Sequence, residues 1–498
     1  MEQAQLPIQL YTAEQVRTGE QKAAAMLGLD MYRLMERAGA AVFEHLVQAY
    51  PASTTVLVCC GGGNNGGDGY VVARLALEAG YKVILWGLGD SANLTGDAAI
   101  ARQAWLDAGG QITPPASELP PSAGVVVDAL LGTGLNGPVR ENAADLIRLL
   151  NRSSLPILSV DIPSGLCADT GQVLGAAIRA QATVTFIGCK QGLLTGKAAN
   201  YVGELLFAGL DVESAFHSVC QPAVGRVTED DVAQCLGIRD RTAHKGDHGR
   251  ILCVGGDHGM GGAIRLAAEA AARSGAGLTA VLTQPDNVLS IVSAIPEIMA
   301  KGWQEKAHEV SQKLAWANVV VLGPGLGQSD WSKALFFYIA ATDKNLVLDA
   351  DGLNLLALSP DYKNNRIITP HPGEAARLLN CSVADVEADR FAAVRALQQK
   401  YGGVVVLKGA GSLIDNGTDC WLCAAGNPGM ATGGMGDVLS GVIGALVAQG
   451  LSLTDAARVG VLIHSMAADR CAMDGERGML ASDLFPHIRQ LVNPKLRT

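Results

Sequence analysis

Residues 55–69 read TVLVCCGGGNNGGDG: six β-favouring residues run straight into a glycine loop that also carries Asn64, Asn65 and Asp68. An apolar strand that ends in such a loop, with a helical pattern behind it, opens a parallel α/β unit. The same grammar recurs in KVILW at 82–86, VVVDAL at 125–130, PILSVD at 156–161 and ATVTFI at 182–187. Helical stretches separate these runs, one predicted to open after Asp68 and another over 142–150. Alternation of this kind predicts a mostly parallel sheet covered on both faces. Ahead of the first strand, Val16, Leu34, Ala38, Val42 and Leu46 lie on two predicted helices within 13–49.

The pattern breaks at 218–228, SVCQPAVGRVTEDD and its surroundings, where Pro222 and Gly225 precede a capping-box match of Thr228 with Asp231. The predicted domains are therefore 10–217 and 226–498. The second half restarts with RILCVGG, GLTAVLT, ANVVVLGPGLG, NLVLDADG, NRIITPHPGE, GVVVLKG and SLIDNG. Helices are predicted up to Arg273, over 437–447 and over 454–472. The fold class is α/β, in two domains, although a length of 498 residues would by itself also allow three ordinary ones.

Composition removes several function classes. Hydrophobic residues make up 49% and charged residues 17%, too apolar a balance for a disordered chain. A formal net charge of −10 argues against binding nucleic acid through a basic surface. The N-terminus MEQAQLPIQLYTAEQ lacks a basic and then apolar segment, and 438–454 is too short and polar for a membrane span. The eleven cysteines sit mostly inside apolar runs, which predicts reduced core thiols and a cytoplasmic protein. One C-x-x-C, Cys420 to Cys423, has no second pair to complete a zinc site. Sixty glycines, in clusters, mark loops where backbone approaches something closely.

The loop at 61–69 formally contains G-x-G-x-x-G at Gly61, Gly63 and Gly66. A tight turn without a ligand is the alternative, but it does not require two amides and a carboxylate among the glycines. Two further strand ends point the same way. Asp128 closes VVVD ahead of the loop 132–138, and VDIPSG places Asp161 and Ser164 at the next strand end. Each aspartate could be a cap or a loop brace. Carboxyl ends of neighbouring parallel strands converge on one crevice, so three such loops together indicate a site.

In the second half, GNPGMATGGMGDVLSGVIGAL sets Gly433, Gly434, Met435, Gly436 and Asp437 before an apolar helix. Successive free amides at a helix N-terminus make an anion hole, and an aspartate beside it could take a proton from a hydroxyl attacking phosphorus. A plain N-cap role for Asp437 is the alternative. The Walker A string G-x-x-x-x-G-K-[ST] is absent from the chain.

GGGNNGGDG, GTGLNGP and VDIPSG together resemble the NAD(P)HX epimerase domain over 10–217. That family exchanges the R and S forms of NAD(P)HX, the hydrated and damaged form of reduced nicotinamide nucleotides, and binds potassium. The resemblance implies a Rossmann-like parallel sheet. It implies substrate contacts from Asn64, Asn65, Gly66, Gly67 and Asp68, and from Gly132, Thr133, Gly134, Leu135, Asn136, Gly137 and Pro138. Asn65, Asp128 and Ser164 would give oxygens to K+, a hard donor set without Cys or His. Asp161 would face the nicotinamide ring. It is the acid/base candidate, because epimerising a carbon that bears a hydroxyl needs proton movement and these motifs contain no histidine.

VVVLGPGLG, TPHPGE, VVVLKGAGS and GMATGGMGD resemble the NAD(P)HX dehydratase, a ribokinase-like α/β domain, from 226 to the end. In that family an adenine nucleotide donates a phosphoryl group to the hydroxyl of S-NAD(P)HX, and phosphate then leaves. The resemblance implies that Lys408, Gly409, Ala410, Gly411, Ser412 and Gly436 bind ADP or ATP, with Mg2+ held mainly by phosphates and water. Gly325, His371 and Asp437 would contact substrate, Asp437 as base, and Ala263 of the loop 259–263 would line the same pocket. Bracing of a turn by His371 and a surface position for Lys408 are the plainer alternatives. Gly444, Ala445 and Ala448 read as close packing. The rival function is a vitamin or sugar kinase with an appended dinucleotide-binding or non-catalytic interaction domain, which would release a stable phosphorylated product. The expected assembly is a homo-oligomer without nucleic-acid or membrane partners.

Overall fold

The structure is a computed structural model and describes residues 6–89, 94–304 and 307–493. Residues 1–5 of the N-terminal stretch read above, 90–93 of the first predicted domain, and 305–306 and 494–498 of the second lie outside the described residues. The chain separates into two compact units, Met1–Gly225 and Arg226–Thr498.

The first unit holds β1 (Gln9–Tyr11), β2 (Thr55–Cys60), β3 (Lys82–Gly87), β4 (Ala123–Ala129), β5 (Ile157–Val160), β6 (Ala182–Phe186), β7 (Cys189–Lys190) and β8 (Glu204–Ala208), and β9 (Val224–Arg226) spans the boundary. Its main sheet has the order β3-β2-β4-β5-β6-β8 and every pairing in it is parallel. The central strands β2 and β5 are buried at every residue, as a sheet with both faces covered requires. The chain leaves β2 toward β3 on one side and comes back to β4 on the other. That reversal is a topological switch point, where loops at the carboxyl ends of the strands part and leave a crevice.

The predicted strands are present, but the glycine loop is shorter than expected. The helix opens at Asn64 with Gly63 as its N-cap, not after Asp68, so Asn64 to Asp68 form its first turns. Tertiary contact overrides helix propensity here. A Cβ at Gly66 would lie 2.1 Å from the carbonyl oxygen of Gly61, and one at Gly67 would lie 2.6 Å from the Met35 side chain. Gly61 itself is pinned across the switch point, its N–H bonded to Ala129 O at 2.9 Å. A Cβ there would stand 1.8 Å from the backbone oxygen of Leu130. Gly61→Ala is therefore expected to destabilise the first unit by about 1–3 kcal/mol, read as a lower urea midpoint for its transition.

The second unit holds β10 (Arg250–Val254), β11 (Leu278–Thr283), β12 (Met299–Gly302), β13 (Val319–Leu322), β14 (Asn345–Leu348), β15 (Arg366–Ile368), β16 (Val404–Leu407), β17 (Ser412–Asp415) and β18 (Cys420–Cys423). They run in the order β12-β11-β10-β13-β14-β15-β16-β17-β18. Pairings from β12 to β16 are parallel, and β16-β17-β18 is an antiparallel meander. The C-x-x-C thus lies along a strand, and burial pushes its Cys420 and Cys423 thiols up to about 12 and about 11, which disfavours the thiolates that metal or redox work needs.

The helix Met435–Ala448 crosses the core with twelve buried residues. Its small face is close packing, as expected: a Cβ at Gly444 would fall 2.5 Å from Val321. The stretch 438–454 is thus part of a buried helix, the turn after it and the first residues of the helix Leu453–Ala472. Among the described residues no helix is long and apolar enough to cross a membrane.

Candidate active sites

The first unit carries a cavity of about 850 Å³ at its switch point. Asn64, Asn65 and Asp68 line it from the first helix turns, Gly132 to Asn136 and Pro138 from the loop after β4, and Asp161 from the end of β5. Gly66 and Gly67 are packed inside the helix, and Gly137 is absent from the lining; it takes a left-handed φ of 83° in the loop.

Behind the wall, Asp128 and Ser164 are fully buried and bonded to each other. Asp128 Oδ1 accepts from Ser164 Oγ at 2.5 Å, and its Oδ2 accepts from Ser164 N at 2.9 Å and Ser159 Oγ at 2.8 Å. Burial raises the Asp128 carboxyl, and these hydrogen bonds oppose the rise. Nearby, Asn65 is 8% exposed and its buried Nδ2 has no hydrogen-bond partner.

Asp161 sits on a left-handed backbone, φ 65°, and Ile187, which also lines the cavity, has φ 63°. Such conformations cost about 1–3 kcal/mol each and concentrate at functional sites. Asp161 Oδ1 accepts from Thr185 Oγ1 and Phe186 N, both at 3.2 Å, and from the ammonium of Lys190. Lys190 is only 1% exposed, and its Nζ also donates to Thr185 Oγ1 at 3.1 Å and Phe186 O at 3.2 Å. Asp68 and Glu20 complete the group. Burial, with Asp161 and Glu20 nearby, pushes Asp68 well above the carboxylate range. Lys190 and Glu20 escaped the sequence reading; a lysine inside the apolar run TFIGCKQGLL was the only available signal.

In the second unit the switch point lies between β10 and β13. The loops there are locked by Gly256 N to Pro324 O at 3.1 Å and Asp257 N to Gly325 O at 2.7 Å. Gly325 has φ 57°, and a Cβ on it would meet Met260 O at 2.6 Å and the Ala263 side chain at 3.1 Å. Ala263 and Gly325 are therefore neighbours.

A second cluster gathers at the ends of β14, β15 and β16. Lys408 Nζ donates to Asp349 Oδ1 at 2.7 Å and lies 3.7 Å from Glu374. Its side chain is 19% exposed, so the surface-lysine alternative fails. Ser440 Oγ donates to Asp349 Oδ2 at 2.6 Å. Burial opposes ionisation of Asp349, but Lys408 and these hydrogen bonds outweigh it and hold the carboxyl low. Gly436 adjoins the pair, since a Cβ there would be 3.2 Å from Lys408 Nζ.

Asp437 is the third residue of its helix, whose N-cap is Gly434, so the N-cap alternative fails as well. Burial pushes Asp437 up to about 7, with Asp349 adding to the rise and Lys408 opposing it. His371 does brace a turn: its Nδ1 accepts from Gly373 N at 2.9 Å and its own N–H donates to Glu374 at 2.8 Å, a cap on the helix Pro372–Leu379. Gly409 to Gly411 form the turn from β16 into Ser412, whose Oγ donates to Gly409 O at 3.1 Å. Asp349 and Glu374 were not predicted as site residues, though Asp349 ends its strand just as Asp128 and Asp161 do.

Two α/β units, each with its own buried carboxylate–lysine pair at strand ends, give the chain two separate sites, the architecture of a bifunctional enzyme. Residues 251–490 match the family model described as NAD(P)H-hydrate dehydratase, and 31–192 match that of the YjeF-related protein N-terminus. The chain is 51% identical to the bifunctional NAD(P)H-hydrate repair enzyme Nnr of Vibrio cholerae, covering 98% of this chain and 99% of the relative. It is 49% identical to the Escherichia coli enzyme of that name, with coverages of 99% and 95%. A ribokinase-like superfamily protein of Enterococcus faecalis superposes on 54% of this chain and 95% of its own, with 27% identity and a TM-score of 0.51. The chain belongs to the bifunctional NAD(P)H-hydrate repair enzymes. The small-molecule kinase alternative is not favoured.

Proposed function

We propose that residues 10–217 epimerise R- and S-NAD(P)HX around Asp161, and that 226–498 dehydrate the S form around Asp437. The observation that carries this is a separate buried carboxylate–lysine pair at strand ends in each unit, Asp161 with Lys190 and Asp349 with Lys408. In the first cavity Asn64, Asn65, Asp68, Gly132 to Asn136 and Pro138 hold the substrate. Gly66, Gly67 and Gly137 support that surface by letting the backbone close up.

Potassium fits the first unit. The donors are an amide, a carboxylate and a hydroxyl, and the buried Asn65 amide, whose Nδ2 has no hydrogen-bond partner, can be turned to offer oxygen in its place. Asn65, Asp128 and Ser164 would hold the ion, which supplies a fixed positive charge beside the substrate. Exchanging K+ for tetramethylammonium is expected to slow epimerisation several-fold and leave dehydration of purified S-NADHX unchanged.

In the second unit Lys408 to Ser412 and Gly436 bind the adenine nucleotide, and Gly325, Ala263, His371 and Asp437 contact S-NAD(P)HX. Magnesium, when bound with the nucleotide phosphates, would supply positive charge to offset theirs. Asp437 takes the proton of the substrate hydroxyl as its oxygen bonds to phosphorus, and AMP leaves when ADP is the donor. Phosphate then departs with the C–O bonding pair, and loss of a proton from the adjacent ring carbon restores the double bond. Phosphorylation is needed because hydroxide is a poor leaving group. The test is product analysis with ADP or ATP: stoichiometric NADH and free phosphate are expected, and a stable phosphorylated dinucleotide would overturn the reading. The cytoplasm is the proposed compartment and a homo-oligomer the proposed assembly.

A further inference from the structure

Epimerising a carbon that carries both a hydroxyl and a ring nitrogen requires an acid as well as a base. The leaving hydroxyl must be protonated before it can depart as water. Asp161 is poorly suited to that half of the work, because its Oδ1 already accepts three hydrogen bonds, one of them from the buried Lys190 ammonium. The proton donor must be another group in the same cavity.

The cavity offers one from a different element. Glu20 projects from the helix Ala13–Met26 and lines the space shared by Asp161, Lys190 and Asp68. The helix is held close there, since a Cβ at Gly19 would lie 2.4 Å from the Phe216 ring. Burial pushes Glu20 up to about 7 and Asp161 adds to the rise, while Lys190 and Arg17 oppose it. Asp68 is the remaining titratable neighbour, raised by burial first and then by Asp161 and Glu20. Three carboxyls around one lysine cannot all ionise cheaply.

We infer that Glu20 is the general acid of epimerisation, an assignment that rests on the epimerase reading of this cavity. Glu20 gives its proton to the substrate hydroxyl. The C–O bond breaks with its electron pair on oxygen, water leaves, and the ring nitrogen lone pair forms the C=N bond. Water then adds to the other face, the C=N pair returns to nitrogen, and Asp161 takes the extra proton. Exchange through solvent returns that proton to Glu20, so the cycle balances without an added reactant.

The test follows interconversion of enriched R- and S-NADHX by the full-length protein across the neutral pH range, with the spontaneous rate subtracted. An acid is active while protonated, so the wild-type rate is expected to fall as pH rises through about 7. Glu20→Gln is expected to lower kcat by about 10²-fold or more, with little change in KM, and to abolish that alkaline fall. Glu20→Asp is expected to recover part of the rate together with the pH dependence. Wild-type kcat and pH profile in Glu20→Gln would overturn the assignment, and so would a wild-type profile flat through neutrality. If Asp161→Asn loses activity while Glu20→Gln keeps it, the acid assignment fails and the epimerase reading stands. A wild-type protein that adds nothing to the spontaneous rate fails the epimerase reading itself.

Discussion

Asp437→Asn is expected to lower nucleotide-dependent dehydration by about 10²- to 10⁴-fold and to leave epimerisation at the wild-type rate, because the amide keeps the shape but cannot accept the proton. The environment of Asp437 suits it to this work. Burial and Asp349 raise it to about 7, close to the operating pH, where a base combines adequate ionisation with adequate basicity. The sign of the pH dependence follows: a base works deprotonated, so the dehydration rate should rise with pH through about 7 and level off above it. Initial rates of NADH formation from purified S-NADHX at saturating ADP check both statements. Equal losses of both activities in a folded variant would refute the separation of the two sites.

Asp161→Asn carries the second large effect, a loss of epimerisation by about 10²- to 10⁴-fold with dehydration of the S form intact. Asparagine tolerates the left-handed φ of 65° at this position, so the substitution removes charge without forcing the backbone. It also takes from the buried Lys190 the carboxylate it bonds directly, leaving Asp68 and Glu20 as its acidic neighbours. The first unit should therefore lose stability together with activity. A thermal melt in parallel with R-to-S exchange separates the two effects, because a variant that is folded at assay temperature and inactive has lost chemistry alone.

Strand ends were the most legible feature of the sequence. An apolar run that closes on Asp128, Asp161 or Lys408 announces both the parallel sheet and its crevice, since the same backbone that ends the strand presents the side chain. The glycine clusters were legible for a related reason: Gly61 and Gly325 each face another loop's backbone within a distance that leaves no room for a side chain. What local pattern could not show was partnership across the sheet. Lys408 meets Asp349 from 59 residues away, and Lys190 reaches Asp161 from a two-residue strand without apolar periodicity. Glu20 lies on a surface-patterned helix before the first strand of the main sheet. The opening of the helix at Asn64 was hidden because Gly66 and Gly67 lower helix propensity, and only their contacts with Gly61 and Met35 explain them.

The central claim is that one chain repairs both epimers through two separate carboxylate sites. It is tested most directly by the time course of NADH recovery when the Asp161→Asn protein is given an R and S mixture of NADHX with excess ADP. The variant is expected to give a rapid rise equal to the S fraction and then a slow phase at the spontaneous epimerisation rate, where wild type runs to complete recovery without a break. A single fast phase to full recovery in the variant would contradict it.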